Sequence, residues 1–206
     1  KSFTQEFQLI ENNGNGLDWI LGAFYSNERG TDTSSSSSLQ FVNPSNPGIT
    51  YGLVRNTSLA FFAQGKYALS DQFSITGGVR YTDESKSLIS RNRTVIVDLA
   101  QSVTAGRCSI AVALRPNPAI CESSPIKDSY NAWDYLFSLD FKPTDDILLY
   151  AKTSRGFKAG GQNLRGQDAV TFTPFGPETV TEYEIGAKME FMDRRVRLNL
   201  AAYTDK

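Results

Sequence analysis

From Pro177 to Tyr203 the chain reads PETVTEYEIGAKMEFMDRRVRLNLAAY, with apolar and polar residues in near-strict alternation. Strand side chains point alternately to opposite sides of a sheet. Tyr183, Ile185, Ala187, Met189 and Phe191 therefore share one face, and Glu182, Glu184, Gly186, Lys188 and Glu190 share the other. One face is oily and the other charged. The pattern resumes after Asp193-Arg194, with Val196, Leu198, Leu200 and Ala202 against Arg195, Arg197, Asn199, Ala201 and Tyr203. A turn at those two residues folds the runs into one hairpin, in which Phe191 faces Val196, Met189 faces Leu198, Ala187 faces Leu200 and Glu190 faces Arg197. A slip of one residue would scramble both faces.

The same alternation recurs along the chain. Ser2 to Ile10 is a weak strand, and Leu17 to Glu28 a stronger one, with Trp19, Leu21, Ala23 and Tyr25 together; Asn12 to Gly16 between them is turn chemistry. Arg55 to Leu69 aligns Leu59, Phe61, Ala63, Gly65, Tyr67 and Leu69. A three-residue turn, Ser70 to Gln72, sets this row against Phe73, Ile75, Gly77, Val79 and Tyr81 of the next strand. Tyr130 to Lys142 sets Trp133, Tyr135, Phe137, Leu139 and Phe141 against Asp134, Ser138, Asp140 and Lys142, and Pro143 to Asp146 turns it into Ile147 to Lys158. The faces of that last strand are too mixed to assign from pattern. About eight strands and no helix result.

Short turns alternate with long connections, which run from about Gly30 to Val54, Arg91 to Asp128 and Ala159 to Glu178. No run of 18 apolar residues exists, which excludes a membrane-spanning helix and leaves a membrane β-barrel open. A soluble β-sandwich alternates as well. Strand length favours the barrel: soluble strands run about 5 or 6 residues, whereas strands of about 13, tilted about 45°, reach roughly 30 Å along a membrane normal.

Three stretches, Gly77 to Lys86, Leu149 to Gly161 and Pro177 to Lys188, resemble the TonB-dependent receptors of Gram-negative outer membranes. The matching residues are Arg80 and Tyr81; Arg155, Gly156, Phe157, Lys158, Gly160 and Gly161; and Pro177, Glu178, Tyr183, Glu184, Gly186 and Lys188. The resemblance implies an all-β fold, an antiparallel transmembrane β-barrel of about 22 strands with a plug in its lumen, of which residues 1–206 form a section of wall. It also implies uptake of a scarce nutrient, usually a ferric siderophore, powered by the inner-membrane TonB-ExbB-ExbD complex. Outer-membrane lipid and the receptor's own plug domain are the other implied partners. The plug and the TonB-contacting segment of such receptors precede the barrel, and an isolated wall section leaves strand edges unpaired in lipid. The chain is therefore expected to be a piece of a longer protein. Relatives often place Asp-Gly where this chain has Asp193-Arg194, and arginine tolerates the left-handed backbone of such a turn less well than glycine.

Enzyme chemistry finds little support. There is no histidine, so Ser-His-Asp and Cys-His systems and histidine-bearing metal sites are excluded, and no cofactor is expected. Glu182 and Glu184 share a strand face with Lys188, which reads as a hydrated lumen wall rather than an acid/base pair. Gly14-Asn-Gly16 and Gly160-Gly161 lack the rest of a phosphate-binding motif, and Ser34 to Ser38 reads as a mobile low-complexity loop. A formal net charge of -1 with no basic cluster in the sequence predicts no nucleic-acid partner. If the source is a Gram-negative bacterium, as the resemblance implies, the sequons at Asn56 and Asn92 are chance matches.

Cys108 and Cys121 lie close together in a segment without strand periodicity, and a disulfide between them would be worth roughly 3 kcal/mol. In the loops and upper lumen, Arg155, Lys158 and Arg165 form a candidate attractor for an anionic ferric chelate, with Phe172 or Phe175 to cover it. The same architecture with a glycan, cobalamin or another metal complex as cargo is the alternative, followed by a passive porin or structural barrel.

Overall fold

The computed structural model describes residues 1–12, 16–37, 47–97 and 103–206. Its strands are β1 (Ser2–Glu11), β2 (Leu17–Ser37), β3 (Pro47–Ala68), β4 (Phe73–Ser90), β5 (Arg93–Val97), β6 (Val103–Cys108), β7 (Ile126–Thr144), β8 (Ile147–Lys158), β9 (Glu178–Phe191) and β10 (Val196–Asp205). They form one antiparallel sheet in the order β1-β2-β3-β4-β7-β8-β9-β10. The β5–β6 hairpin attaches to β3 through Gly48–Thr94 and Ile49–Arg93. Among the described residues β1 and β10 each pair on one side, so the sheet is not closed.

The ladder sorts side chains into two sets. Odd-numbered residues of β1 to β4 and β7 to β9, together with even-numbered residues of β10, fall on one face. That face carries Trp19 to Tyr25, Leu59 to Leu69, Phe73 to Tyr81 and Trp133 to Phe141 of the alternating rows. The exposed large apolar residues concentrate there, including Phe61, Trp133, Phe137, Ile185 and Leu200. An exposed apolar face of this extent is what the lipid-facing side of a transmembrane barrel presents. Aromatic pairs mark both margins: Tyr81 and Trp133, ring centroids 5.0 Å apart, on the side of the long connections, and Phe73 and Phe141, 4.5 Å apart, on the side of the short turns. The other face is the interior wall. β8 is thereby resolved: Leu149, Ala151, Thr153, Arg155 and Phe157 face outward, and Leu148, Tyr150, Lys152, Ser154, Gly156 and Lys158 inward.

The β3–β4 and β9–β10 registers are those read from the sequence, including Phe61 opposite Tyr81 and Met189 opposite Leu198. Other expectations are corrected. β2 and β3 run to 21 and 22 residues and pair as far as Ser37–Pro47, so most of the expected loop from Gly30 to Val54 is a hairpin. Above the lipid both faces meet water, and the alternation that reveals a strand fades. Ser34 to Ser37 accordingly lie in β2 rather than in a mobile loop, while Ser38 and residues 39–46 lie outside the described residues. So do residues 13–15 of the first expected turn. β7 continues through Pro143 and Thr144, and only Asp145 and Asp146 turn. Between Phe141–Leu149 and Thr144–Ile147 two β7 residues oppose one β8 residue; proline, which has no N–H for the ladder, is tolerated at such a bulge.

The last turn spans Met192 to Arg195, closed by the Arg195 N–H donating to the Met192 carbonyl at 3.2 Å. Asp193 and Arg194 are left-handed at φ 54° and 67°, as a primed two-residue hairpin turn demands, and Met192 is left-handed too at φ 53°. Arginine sits there at a steric cost of roughly 1 kcal/mol. Arg194→Gly is expected to stabilise the receptor by about 1 kcal/mol, read as a shift of the guanidinium unfolding midpoint. The exposed Arg194 contacts to Asp146 (3.7 Å) and Glu190 (3.3 Å) offset only a few tenths of this.

Candidate functional site

The interior wall is richest where β8 meets β9. Tyr150 lies directly across the ladder from Gly186, and Lys152 across from Glu184. A Cβ at Gly186 would run into the Tyr150 ring, so the glycine lets the phenol lie flat across β9. From there its hydroxyl donates to Glu184 Oε1 at 2.5 Å, and Lys188 Nζ stands 5.6 Å from the ring centroid. Lys152 Nζ bridges Glu184 (2.7 Å) and Glu182 (2.9 Å). Both carboxylates are thus committed to one ammonium, which suits a wall and leaves no free acid/base pair. The Glu184, Gly186, Lys188 motif is in this light the imprint of a cross-strand packing unit. β8 shows no clean alternation, so its own sequence does not single out Tyr150 and Lys152; only its partner strand reveals them.

Further round the wall, Arg80 lies 5.6 Å from the Phe24 ring centroid and 5.7 Å from that of Phe62, and its Nε donates to Thr82 Oγ1 at 3.1 Å. Asp134 is its ladder partner on β7. Tyr81, the next motif residue, points outward to Trp133.

Above the wall, two of the expected long connections fold together into a roof. In the first, described at residues 91–97 and 103–125, a disulfide joins Cys108 and Cys121 with Cα atoms 5.4 Å apart, and a short 3-10 turn covers Val112–Leu114. In the second, residues 159–177, Phe172 is buried with Ile110 and Cys121, flanked by Cys108, Leu114 and Ile126. Asn92 Nδ2 stitches the two, donating to the carbonyls of Leu164 (3.0 Å) and Gly166 (2.9 Å), while Ala111 N–H donates to Gln167 O at 2.8 Å. Asn92 is 4% exposed, which rules out its sequon as a glycosylation site.

The second segment docks on the inward side of the wall. Leu164 packs onto Gly52 of β3, Ser90 Oγ of β4 donates to Leu164 O at 3.3 Å, and Gln162 Nε2 donates to the Lys86 (3.3 Å) and Ile126 (2.9 Å) carbonyls. Its two arms are pinned where Gly161 pairs with Phe175 and the Tyr130 hydroxyl donates to Phe175 O at 3.2 Å. At the outer bend Thr171 donates to Asp168 through its backbone N–H and its hydroxyl, both at 2.8 Å, which holds the Asp168 carboxyl below the usual aspartate range.

The five candidate ligand residues do not share one surface. Arg155 is on the outward row; Lys158, on the inward row, is paired with Glu178 at 3.2 Å; Phe172 is buried. Arg165 and Phe175 are exposed on the roof. The charge count that grouped the three cations carries no information on which side of a strand each takes. Among the motif residues, Gly156 meets open space, Phe157 is half-buried on the outward row, and Pro177 precedes β9.

Phe172→Ala is expected to cost the roof about 3 kcal/mol through the cavity left against Ile110. Hydrogen exchange of the Ala111 amide should speed up on the order of 100-fold, with the β3 and β4 amides unchanged.

A model of the family described as TonB dependent receptor-like, beta-barrel, matches residues 1–206. Among solved structures, the ferric yersiniabactin uptake receptor FyuA from Yersinia pestis superposes with a TM-score of 0.73 at 20% identity, over 99% of this chain and 28% of that one. The closed form of the ferric-catecholate import receptor Fiu from E. coli K12 gives 0.62 at 15% identity, over 98% of this chain and 30% of that one. The chain thus spans under a third of the length of these neighbours, and the likeness is one of fold.

Proposed function

The chain belongs to the TonB-dependent receptor β-barrel family, and from that membership we propose that it is wall and roof of an outer-membrane receptor that imports a ferric siderophore with energy from TonB. Members of this family are transport receptors rather than enzymes, and their barrels stand in the outer membrane. The observation that carries the reading is the family match along all of residues 1–206, joined to an interior wall of committed charges beneath an inward-folded roof. Two neighbours in fold are named as receptors for ferric chelates, which supports an iron complex over other cargo. The exposed Arg165 and Phe175 are proposed to meet the cargo first, the guanidinium through charge and the ring through packing. A plug domain, and TonB-ExbB-ExbD acting through a segment outside this chain, complete the proposed machine.

The test is uptake of radiolabelled iron, supplied as a panel of ferric siderophores, by iron-starved cells with and without the full-length receptor. Uptake that needs both the receptor and TonB supports the reading. Receptor-dependent permeation without TonB would indicate a porin. TonB-dependent uptake of a glycan or cobalamin, with no chelate transported, would replace the cargo and keep the architecture.

A further inference from the structure

The roof depends on a covalent bond that the wall does not need. Neither cysteine lies in the eight-strand ladder of the wall, and the Cys108–Cys121 bridge sits where the two connections of the roof meet. The chain on each side of it is held separately. Cys108 ends β6, and the Ser109 N–H beyond it donates to the Asn92 carbonyl at 3.0 Å. Just past Cys121, Ser123 fastens the chain to the end of β4: its N–H donates to Ser90 O and its Oγ accepts from the Ser90 N–H, both at 2.9 Å. The bridge thus ties the β5–β6 hairpin to a stretch anchored on the wall.

Cys121 in turn touches what holds the second connection. Its Sγ lies 3.1 Å from the carbonyl oxygen of Asn92, whose side chain binds Leu164 and Gly166, and with Ile110 it forms the buried seat of Phe172. Breaking the bridge frees the loop of residues 109–120, which carries both Ile110 and the Ala111 N–H bonded to Gln167. Two contacts with residues 159–177 then weaken together.

The two sulfurs differ in what can reach them. Cys121 is 6% exposed among apolar neighbours. Cys108 is half-buried and stands directly across the hairpin from Arg93, which is exposed, as is Arg107 beside it in the chain. Direct partners place their Cβ atoms about 5 Å apart. The nearby carboxylate of Glu122 is committed to Arg91 at 2.6 Å. A partly exposed sulfur beside a cation is the setting of a reactive bridge, because the attacking species is an anion, the thiolate; an inert structural bridge buries both sulfurs.

We propose that the Cys108–Cys121 bridge is a redox-operated latch, reduced through Cys108 by small-molecule thiols outside the cell, and that its reduction opens the roof. A thiolate attacks Cys108 Sγ, a mixed disulfide forms there, and Cys121 Sγ leaves with the electron pair and takes up a proton. A second thiolate attacks the sulfur of the first thiol in the mixed disulfide, and Cys108 Sγ leaves and is protonated. Two external thiols have become one disulfide, and the bridge two thiols. The latch rests on the extracellular placement of the roof that follows from the Proposed function, and it is independent of the cargo.

The experiment uses the full-length receptor, purified from outer membranes and treated with glutathione. After alkylation and removal of the thiol, trypsin cleavage after Arg165 is expected to rise on the order of 100-fold, with the folded fraction on unheated gels unchanged. Acid quenching during reduction should trap glutathione on Cys108. Arg93→Gln should slow the reduction roughly fivefold and Arg93→Lys should restore it. Cys108→Ser with Cys121→Ser should be cleaved as fast as the reduced wild type, with or without thiol. Equal cleavage of oxidised and reduced wild type would overturn the latch, and glutathione on Cys121 instead would overturn its route. In intact cells a thiol carried on a dextran too large for porins should also reduce the bridge. A bridge that opens in the purified receptor but not in cells removes the extracellular placement and the latch with it; cleavage indifferent to reduction, in a receptor whose bridge the dextran thiol reaches in cells, removes the latch alone.

Discussion

Phe137→Arg is expected to destabilise the barrel by about 2 to 4 kcal/mol, whereas Leu136→Arg, one residue earlier, should cost about 1 kcal/mol or less. Both substitutions replace an apolar residue of β7 by the same cation. Phe137 pairs with Gly77 and Thr153 on the outward face, midway between Trp133 and Phe141, and it is half exposed, as a lipid-facing side chain of a barrel is. Leu136 pairs with Gly78 and Ser154 on the interior wall, where water solvates a guanidinium and Asp134 lies on the same strand face. Guanidinium titration of the full-length receptor in bilayers measures the pair, with the folded fraction on unheated gels as a second readout. Equal effects of the two variants would mean that neither face meets lipid, and the membrane assignment of the sheet would fail.

Gly160→Val should release the roof while the wall stays folded. A Cβ at Gly160 would strike the Phe175 carbonyl and the Tyr130 ring. A clash with backbone cannot be relieved by turning a side chain, and the neighbouring Gly161–Phe175 bridge and the Tyr130 hydrogen bond are lost with it. The expected loss of docking is about 3 kcal/mol, which raises the opened population on the order of 100-fold. Trypsin cleavage after Arg165 in the full-length receptor would rise by a similar factor, because proteolysis tracks the opened state. Gly156→Val is the control, since Gly156 meets nothing within 4 Å and valine suits a strand. Identical cleavage of Gly160→Val and wild type would show that the pinch between the two arms does not hold the roof.

The parts of this fold legible in the sequence share one property: they lie where the two faces of a strand meet different solvents. The β9–β10 and β3–β4 registers follow from residue-by-residue contrast, as in Glu190 opposite Arg197, whose guanidinium meets the carboxylate at 2.6 Å. Where the contrast ends, so does the signal. Gly30 to Ser37 continue β2 with small and polar residues on both faces, and they read as loop. β8 carries Lys152 inward and Arg155 outward, so its own sequence is ambiguous until Tyr135 and Thr181 place Arg155 beside them.

The candidate site was less legible than the fold. The motif residues around Glu184 were visible, but their role as a seat for Tyr150 and Lys152 needed the partner strand. Phe172, expected to cover a ligand, is buried because Ile110 and the Cys108–Cys121 bridge arrive from the other long connection.

What the sequence by itself determined is the face taken by residues of the clearly alternating strands, β8 excepted, and, in the β3–β4 and β9–β10 hairpins, the residue each one meets. A period of two and a turn of two or three residues are local quantities, and the contrast between lipid and water enforces them. The tertiary structure alone decided that the 159–177 segment folds inward onto β3 and β4 and that Arg155 and Lys158 part company. Those outcomes depend on registers accumulated over several strands and on hydrogen bonds such as that from Asn92 to Leu164, between residues whose separation along the chain leaves no periodic trace.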